Sequence, residues 1–487
     1  MEREMISATP SRSQEIRSKV GHPIIDSDGH TLEIGPILLD FVEKIGGGNV
    51  KKRYEETFKE AWNLRWFNMS AEERRHDFST APAWWVMPTE NSLDRATASL
   101  PRLLNERMDE LGIDYAVLYP TRSLVLDRIP DPEVRQVGSR AVNAYHAEIY
   151  GGYTSRMTTA AAIPMHTPEV AIEELEYAVN ELGMKVAMIE GRSLRPLSRA
   201  KNTPAHLSHV NARMDVLGLD SDYDYDPFWA KCIELNVAPA SHAANMGWGT
   251  RSTSNYMYNH LATFALAHEP LAKALFMGGV TKRFPGLSVA FLEGGVGWAC
   301  RLYADMVGHW VKRNGVDIHK LDPRHLDVDA LMGLIEAEGE PSQKARLKEI
   351  RDHYLAGEPA PEELDDWSHV PMERAEEILD LFVKPFYFGC EADDPMNAHA
   401  FNSKVNPMGA RLKAVFSSDI GHWDVPDMRE VVEEAYELVE DELITAEDFR
   451  DFTFTNAVHL YADMNPDFFR GTAVESEAGR ELRGGVK

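Results

Sequence analysis

Asp28 and His30 stand two apart in the run from Pro23 to His30, PIIDSDGH. On an extended strand that spacing turns a carboxylate and an imidazole to one face, and Gly29 between them lets backbone or ligand approach closely. The pair fits two ligands of one metal ion; taken alone, it also fits an Asx-type turn beside a core histidine. Three further runs carry similar groups: Ser241-His242, Leu292-Glu293-Gly294-Gly295, and Ser417-Ser418-Asp419-Ile420-Gly421-His422. Each closes a short apolar stretch. Imidazole and carboxylate donors brought together from such places make a mixed nitrogen and oxygen site suited to Zn, Mn or Fe.

Other residues take subsidiary roles. Arg192 and Arg195, in GRSLRP, could clamp a substrate carboxylate or phosphate bidentately. His166, in IPMHTP, could line the pocket, or serve at the entry to the helix that Thr167 and Pro168 begin. His422 and Trp423 follow Asp419 closely enough to orient substrate, and His422 is the first candidate for acid or base work. The glycines at 46–48 lack the strand before and the Lys-Ser/Thr after that a phosphate loop needs, and they read as a mobile loop. No nucleophile elbow is present. Cys232 falls on an expected helix and Cys390 inside an expected strand, so covalent catalysis has no support.

The elements that must position these groups are legible as apolar runs: PIIDSD from Pro23, DYAVLYP from Asp114, MTTAAAIP from Met157, MKVAMIEG from Met184, VAPASH from Val237, LSVAFLEGG from Leu287, FYFGCEADD from Phe386 and KAVFSSD from Lys413. Amphipathic segments separate most of them, such as EVAIEELEYAVNEL from Glu169 with its 3.6-residue apolar repeat. Eight strand and helix units predict an α/β TIM barrel, a (β/α)8 fold, in which the donor-bearing strand ends converge on one face. The expected domain runs over about 21–470, with polar tails at 1–20 and 471–487. Two stretches exceed what a barrel needs: 32–107, with Trp62, Trp66, Trp84 and Trp85, and 314–367, acidic and helical. Both read as lids or partner surfaces around the catalytic face.

The chain has 487 residues with 51 Lys and Arg against 78 Asp and Glu, a net charge of −27, which argues against nucleic acid as a partner. Three cysteines make no disulfide framework and no paired zinc spacing. The N-terminus has no apolar signal region and no run approaches a membrane span, so a cytoplasmic location is expected. The partner expected is a small-molecule substrate. The insertion at 314–367 could carry a homodimer contact, for which the sequence supplies no symmetry.

The runs IIDSDGH, LNERMDELGIDYAVLYP, AAIPMHTPEVAIEELEYAVNELG, DPFWAKCIELNVAPASH, RFPGLSVAFLEGG and VFSSDIGHWD together resemble the amidohydrolase-2 branch of the amidohydrolase superfamily, over about Pro23 to Met464. That branch includes aminocarboxymuconate-semialdehyde and γ-resorcylate decarboxylases, besides hydrolases and hydratases. The resemblance implies that Asp28, His30, His242 and Asp419 hold a metal. At the sixth strand the decarboxylases carry a histidine and this chain carries Glu293. A carboxylate there could act as general base, as proton shuttle, or as ligand to a second ion, with Glu190 a weaker bridging candidate.

The reading that results is a metal-dependent enzyme with Asp28, His30, His242, Glu293 and Asp419 as ligands and with Asp419, Glu293 and His422 as catalytic groups. It would act on a small organic acid or ring compound by hydrolysis or decarboxylation. One alternative is a non-haem diiron monooxygenase that hydroxylates an apolar substrate, such as a terpenoid or acyl compound, on the same barrel. Another is a non-catalytic binding protein stabilised by its metal. The metal is expected to be divalent Zn, Mn or Fe, as one ion or two.

Overall fold

The computed structural model describes residues 10–82, 90–196, 212–242, 253–357 and 363–484. Trp84 and Trp85 lie outside the described residues.

Among the described residues there are ten strands: β1 Ile25–Thr31, β2 Tyr115–Pro120, β3 Met157–Ile163, β4 Val186–Glu190, β5 Ser193–Pro196, β6 Ala212–Asp215, β7 Pro239–His242, β8 Val289–Phe291, β9 Phe386–Glu391 and β10 Lys413–Ser417. Eight of them form one parallel sheet in the order β1-β2-β3-β4-β7-β8-β9-β10. These are the eight runs read from the sequence. Their residues are buried almost without exception, as expected of strands covered on both faces.

The ends of the sheet meet. Asp419 N–H donates to the carbonyl of Asp28 (3.0 Å) and His30 N–H to that of Ile420 (2.8 Å), so the exit of β10 is laced to β1 and the sheet closes into a barrel. The β1 ladder to β2 slips between Asp26 and Gly29, a bulge of the kind that re-aims side chains beside a functional site. A Cβ on Gly29 would lie 2.7 Å from Asp26 Oδ2 and 3.0 Å from Leu118, so only glycine fits the bulge.

Between β1 and β2 the chain folds into α2 (Gly35–Ala61) and shorter helices; α1 (Arg12–Lys19) precedes β1. The glycines at 46–48, expected as a loop, lie within α2, which kinks at Gly47 (φ 78°) and continues along the amphipathic run that follows. α2 packs on the helix Pro132–Tyr150, whose N-terminus is capped by Asp131. A second region of helices, Val328–Glu338 and Leu347–Ala356 among them, lies between β8 and β9.

Both ends of the chain, read as polar tails, carry helices. α1 has Ser11 as its N-cap, and Ser13 Oγ donates to the carbonyl of Arg429 (2.5 Å), which docks it on the helix Val431–Glu440. Glu475–Gly484 is helical and buries Ala478. A few apolar anchors, Ile16 at one end and Val474 and Ala478 at the other, hold segments whose average composition is polar. β5 and β6, which are not among the apolar runs of the sequence, pair antiparallel.

Candidate metal centre

The carboxyl ends of β1, β7, β8 and β10 bring their polar side chains into one buried basin. His30 Nε2 lies 3.1 Å from Glu293 Oε1, 3.2 Å from Asp419 Oδ1 and 3.5 Å from Asp28 Oδ1. His242 Nε2 lies 3.4 Å from Asp28 Oδ1, and its Nδ1 is 3.6 Å from Glu293 Oε2. His422 Nδ1 is 2.7 Å from Asp419 Oδ1 and 3.4 Å from Glu293 Oε1, with its ring stacked on that of His30. Ligands about 2.1 Å from a shared cation lie roughly 3.0–3.4 Å apart at octahedral or tetrahedral angles; His30 to Glu293 and to Asp419, His242 to Asp28, and His422 to Glu293 match that spacing, and the remaining separations lie just outside it.

Two overlapping groups result, Asp28 with His30, His242 and Glu293, and His30 with Glu293, Asp419 and His422. Within each, one donor atom per residue lies within 4.8 Å of the others. Among the described residues no group donates a hydrogen bond to either buried oxygen of Asp28, an arrangement that is costly unless a cation takes the place of the missing donors. The residues present therefore fit a divalent ion.

The backbone contributes to the aim of the carboxylates. Glu293 and Asp419 both adopt left-handed conformations, φ 60° and 51°. Such angles are uncommon outside glycine and concentrate at functional sites. Behind β1, Asp26 takes hydrogen bonds from Asp28 N–H (3.1 Å), Ser418 N–H (3.0 Å) and Ser418 Oγ (2.6 Å). Its carboxyl is nevertheless raised to about 6 by burial, which outweighs those bonds. Within β1 no local pattern marks Asp26, since the bulge between Asp26 and Gly29 breaks the alternation of the strand.

Charge in the basin is strongly redistributed. Burial opposes a charged imidazole at His30, but Asp419 and Glu293 hold it well above its ordinary value. Burial alone would raise Glu293; His242, His30 and His422 outweigh it and hold the carboxyl well below its usual range. Asp419 is pushed up to about 7, first by burial and then by the charge of Glu293. His422 is lowered to about 4 by burial and by His30. A third acidic group adjoins these: Glu391, at the end of β9, and Asp424 both approach Asp419. Burial and the Asp419 charge raise Asp424 to about 9 and Glu391 well above its ordinary value. The sequence reading omitted both. Glu391 closes a barrel strand and Asp424 lies two residues past His422, which were usable signals.

Of the residues expected to bind substrate, Arg195 is tied into the scaffold. Arg195 donates through Nε to Asp215 Oδ2 (3.0 Å) and through Nη2 to the Tyr225 hydroxyl (2.9 Å), with its guanidinium over the Tyr223 ring. Arg192 is buried, and one Nη donates to the sulfur of Met214 (3.3 Å). His166 is half-buried just past β3, beside Thr167, whose side chain caps the next helix. Glu190 ends β4 in register with His242 and belongs to neither ligand group. The three cysteines are free and buried. Among the described residues, no helix is long and apolar enough to cross a membrane.

Residues 25–340 match the protein-family model described as Amidohydrolase. Among curated proteins, the chain is 28% identical over 211 residues to the γ-resorcylate decarboxylase of Rhodococcus jostii (strain RHA1), a match covering 42% of this chain and 59% of that relative. The γ-resorcylate decarboxylase of Polaromonas sp. (strain JS666 / ATCC BAA-500) is 27% identical over 209 residues, with the same coverage of 42% and 59%. The chain thus spans less than two thirds of the curated relatives it matches. Among solved structures, a dihydroxybenzoic acid decarboxylase of Polaromonas sp. JS666, with bound manganese and 2-nitroresorcinol, superposes with a TM-score of 0.48 at 16% identity over 92% of this chain and 99% of that one. An amidohydrolase of Mycobacterium avium subsp. paratuberculosis K-10 gives a TM-score of 0.47 at 18% identity over 76% and 75%.

Proposed function

The chain belongs to the amidohydrolase family, and from that premise we propose that it is a metal-dependent carbon-carbon lyase that decarboxylates an aromatic or related organic acid. One observation carries the reading: buried imidazole and carboxylate donors from four strand ends stand at or near the mutual distances of a coordination shell, and among the described residues no group donates a hydrogen bond to either oxygen of Asp28. The kinship with decarboxylases of aromatic acids supports that choice over hydrolysis.

In this proposal His30 and Glu293, common to both groups, hold the ion together with Asp28 and His242, and Asp419 joins from the second group as a further ligand or handles a proton. A divalent ion there supplies polarisation of substrate oxygens. Decarboxylation forms a C–H bond at the carbon that carries the carboxylate; the C–C bond then breaks, its electron pair returns to the ring, and carbon dioxide leaves. We assign delivery of that proton to the neighbouring trio Asp419, Glu293 and His422, in which His422 Nδ1 lies 2.7 Å from Asp419 and 3.4 Å from Glu293. The burial of these groups excludes bulk water from the proton.

The test is carbon dioxide release from ortho-hydroxylated benzoates by protein loaded in turn with manganese, zinc or no metal. Release that depends on the metal and is lost in His30→Ala supports the reading. Hydrolysis of an ester, lactone or amide without carbon dioxide release overturns it.

A second reading, an oxygen-activating diiron centre, is favoured by a single feature. Glu293 turns Oε1 toward His30 and His422 and Oε2 toward His242, as a carboxylate bridging two ions would. Two irons per chain in anaerobically purified protein, with oxygen uptake, would select it; one ion and no uptake would remove it.

A further inference from the structure

We propose that a cavity of about 600 Å3 between α2 and the carboxyl ends of β1 and β2 binds an acid whose apolar body is larger than one ring, with its carboxylate paired to Arg122. The inference rests on the reading of an acid substrate and adds its class.

The cavity is walled by Leu38, Leu39, Tyr54, Phe58, Trp62 and Phe67, all from the long insertion after β1. Its volume lies within the range of roughly 300–1,000 Å3 that holds drug-sized ligands, and a monocyclic acid leaves much of it unfilled. Apolar walls alone would select no head group; Arg122 does. Its guanidinium stands over the Phe58 ring, 5.0 Å from the centroid. Its Nε donates to the carbonyl of Glu33 (3.2 Å). Among the described residues its two Nη groups donate no hydrogen bond, which leaves a fork suited to a carboxylate.

The guanidinium also has room made for it. A Cβ on Gly35 would lie 2.9 Å from Arg122 Nη2, so the first residue of α2 is cut back to let the cation lie flat. The other charged groups on the cavity are Lys59 and Arg95 against Glu33 and Glu55. Glu33 turns Oε2 to the backbone N–H of Arg122 (3.0 Å), so it steadies the loop rather than capping the fork.

The cavity is joined to the metal centre by one residue. Thr121, next to Arg122, lines the cavity and meets His422 Nε2 through its hydroxyl at 3.2 Å. An acid held on Arg122 therefore presents its head beside the wall shared with the ligand cluster, with its body under the aromatic roof of the insertion.

Isothermal titration of manganese-loaded full-length protein with benzoate, 4-phenylbenzoate and 4-phenylphenol tests the assignment. The second ring is expected to tighten binding at least about tenfold over benzoate, and loss of the carboxylate to weaken it at least about tenfold. Leu39→Trp, which intrudes on the cavity, should lower the ratio of 4-phenylbenzoate to benzoate affinity. Arg122→Gln should reduce 4-phenylbenzoate to the affinity of 4-phenylphenol, and Gly35→Ala, which keeps the charge but nudges the guanidinium aside, should weaken it less. Metal content reports folding in each variant. Equal affinity for benzoate and 4-phenylbenzoate overturns the proposal, as does unchanged 4-phenylbenzoate binding in both Arg122→Gln and Gly35→Ala. These are equilibrium measurements without turnover, so an absence of carbon dioxide release would reject the lyase reading while leaving the cavity assignment to its own result.

Discussion

Asp26 and Ser418, 392 positions apart, fasten the first barrel strand to the exit of the last through two hydrogen bonds, Ser418 N–H to Oδ1 at 3.0 Å and Ser418 Oγ to Oδ2 at 2.6 Å. The same Oδ1 accepts from Asp28 N–H, so one carboxylate sets the bulge that aims Asp28 and the turn that aims Asp419. Ser418→Ala removes the hydroxyl and leaves a fully buried oxygen short of a donor. It is expected to lower metal affinity by about tenfold, as loss of a group that orients ligands does, and stability by about 1–3 kcal/mol. Competition with a chelator and chemical denaturation measure the two; unchanged metal affinity would deny Asp26 and Ser418 their positioning role.

Asp419→Asn separates stability from metal binding. The residue sits at φ 51°, a conformation that asparagine tolerates as well as aspartate does. Its carboxyl is raised to about 7, by burial first, so in the metal-free protein the fold favours the protonated form. Stability from that group falls as pH rises from about 4, the ordinary value, to about 7. Metal-free Asp419→Asn should thus match wild type near pH 4 and exceed it by about 1 kcal/mol or more at pH 7, while losing metal affinity. A variant less stable than wild type at pH 7 without metal would contradict this.

The barrel was legible because its strands are continuous apolar runs that end in turn residues, and the ligand set because donors such as His242 and Asp419 close those runs. Three features were not legible, each for a physical reason. The β5–β6 hairpin holds Arg195 and Asp215, whose charges disguise strands that become buried by pairing with each other. Asp26 and Ser418 carry no local pattern, since their bond depends on closure of the whole sheet. The helix through Gly47 is sustained by packing of α2 on the helix Pro132–Tyr150, which local propensity cannot anticipate.

Glu33 should dominate a pH effect remote from the metal ligands. Its side chain is enclosed with Thr31, His146 and Arg122, and burial raises it to about 7 against the hydrogen bonds that favour its charge. His146 donates through Nδ1 to Val142 and is lowered to about 4 by burial, so a neutral imidazole faces a protonated carboxyl near neutral pH. A raised carboxyl gives stability that is present at low pH and lost as pH rises from about 4.5 to 7. Glu33→Gln keeps shape and the acceptor for Arg122 N–H but cannot ionise. Its melting temperature relative to wild type should rise between pH 5 and 7 and level off by pH 8, a difference worth up to about 3 kcal/mol. A constant offset across that range would show that Glu33 does not titrate there.

Arg195 poses a choice between scaffold and substrate clamp, and its bonds favour scaffold. Asp215, fully buried, receives Arg195 Nε, Ser221 Oγ at 2.8 Å and Leu217 N–H at 3.1 Å. Tyr225, which accepts from Arg195, donates in turn to the carbonyl of Met165 at 2.6 Å. The guanidinium thus ties the hairpin to the exit of β3, where His166 stands, and a substrate would have to displace a buried ion pair to reach it. Arg195→Met keeps much of the apolar stem and strands the Asp215 carboxylate. The expected loss is about 3–5 kcal/mol, since breaking one side of a buried pair leaves an uncompensated charge. The double variant Arg195→Met with Asp215→Leu should recover much of that loss, because it removes both charges together. Urea denaturation of the two variants checks the pair. If Arg195→Met instead keeps wild-type stability and loses only affinity for an acid ligand, the arginine belongs to the substrate and the hairpin is held by its backbone ladder alone.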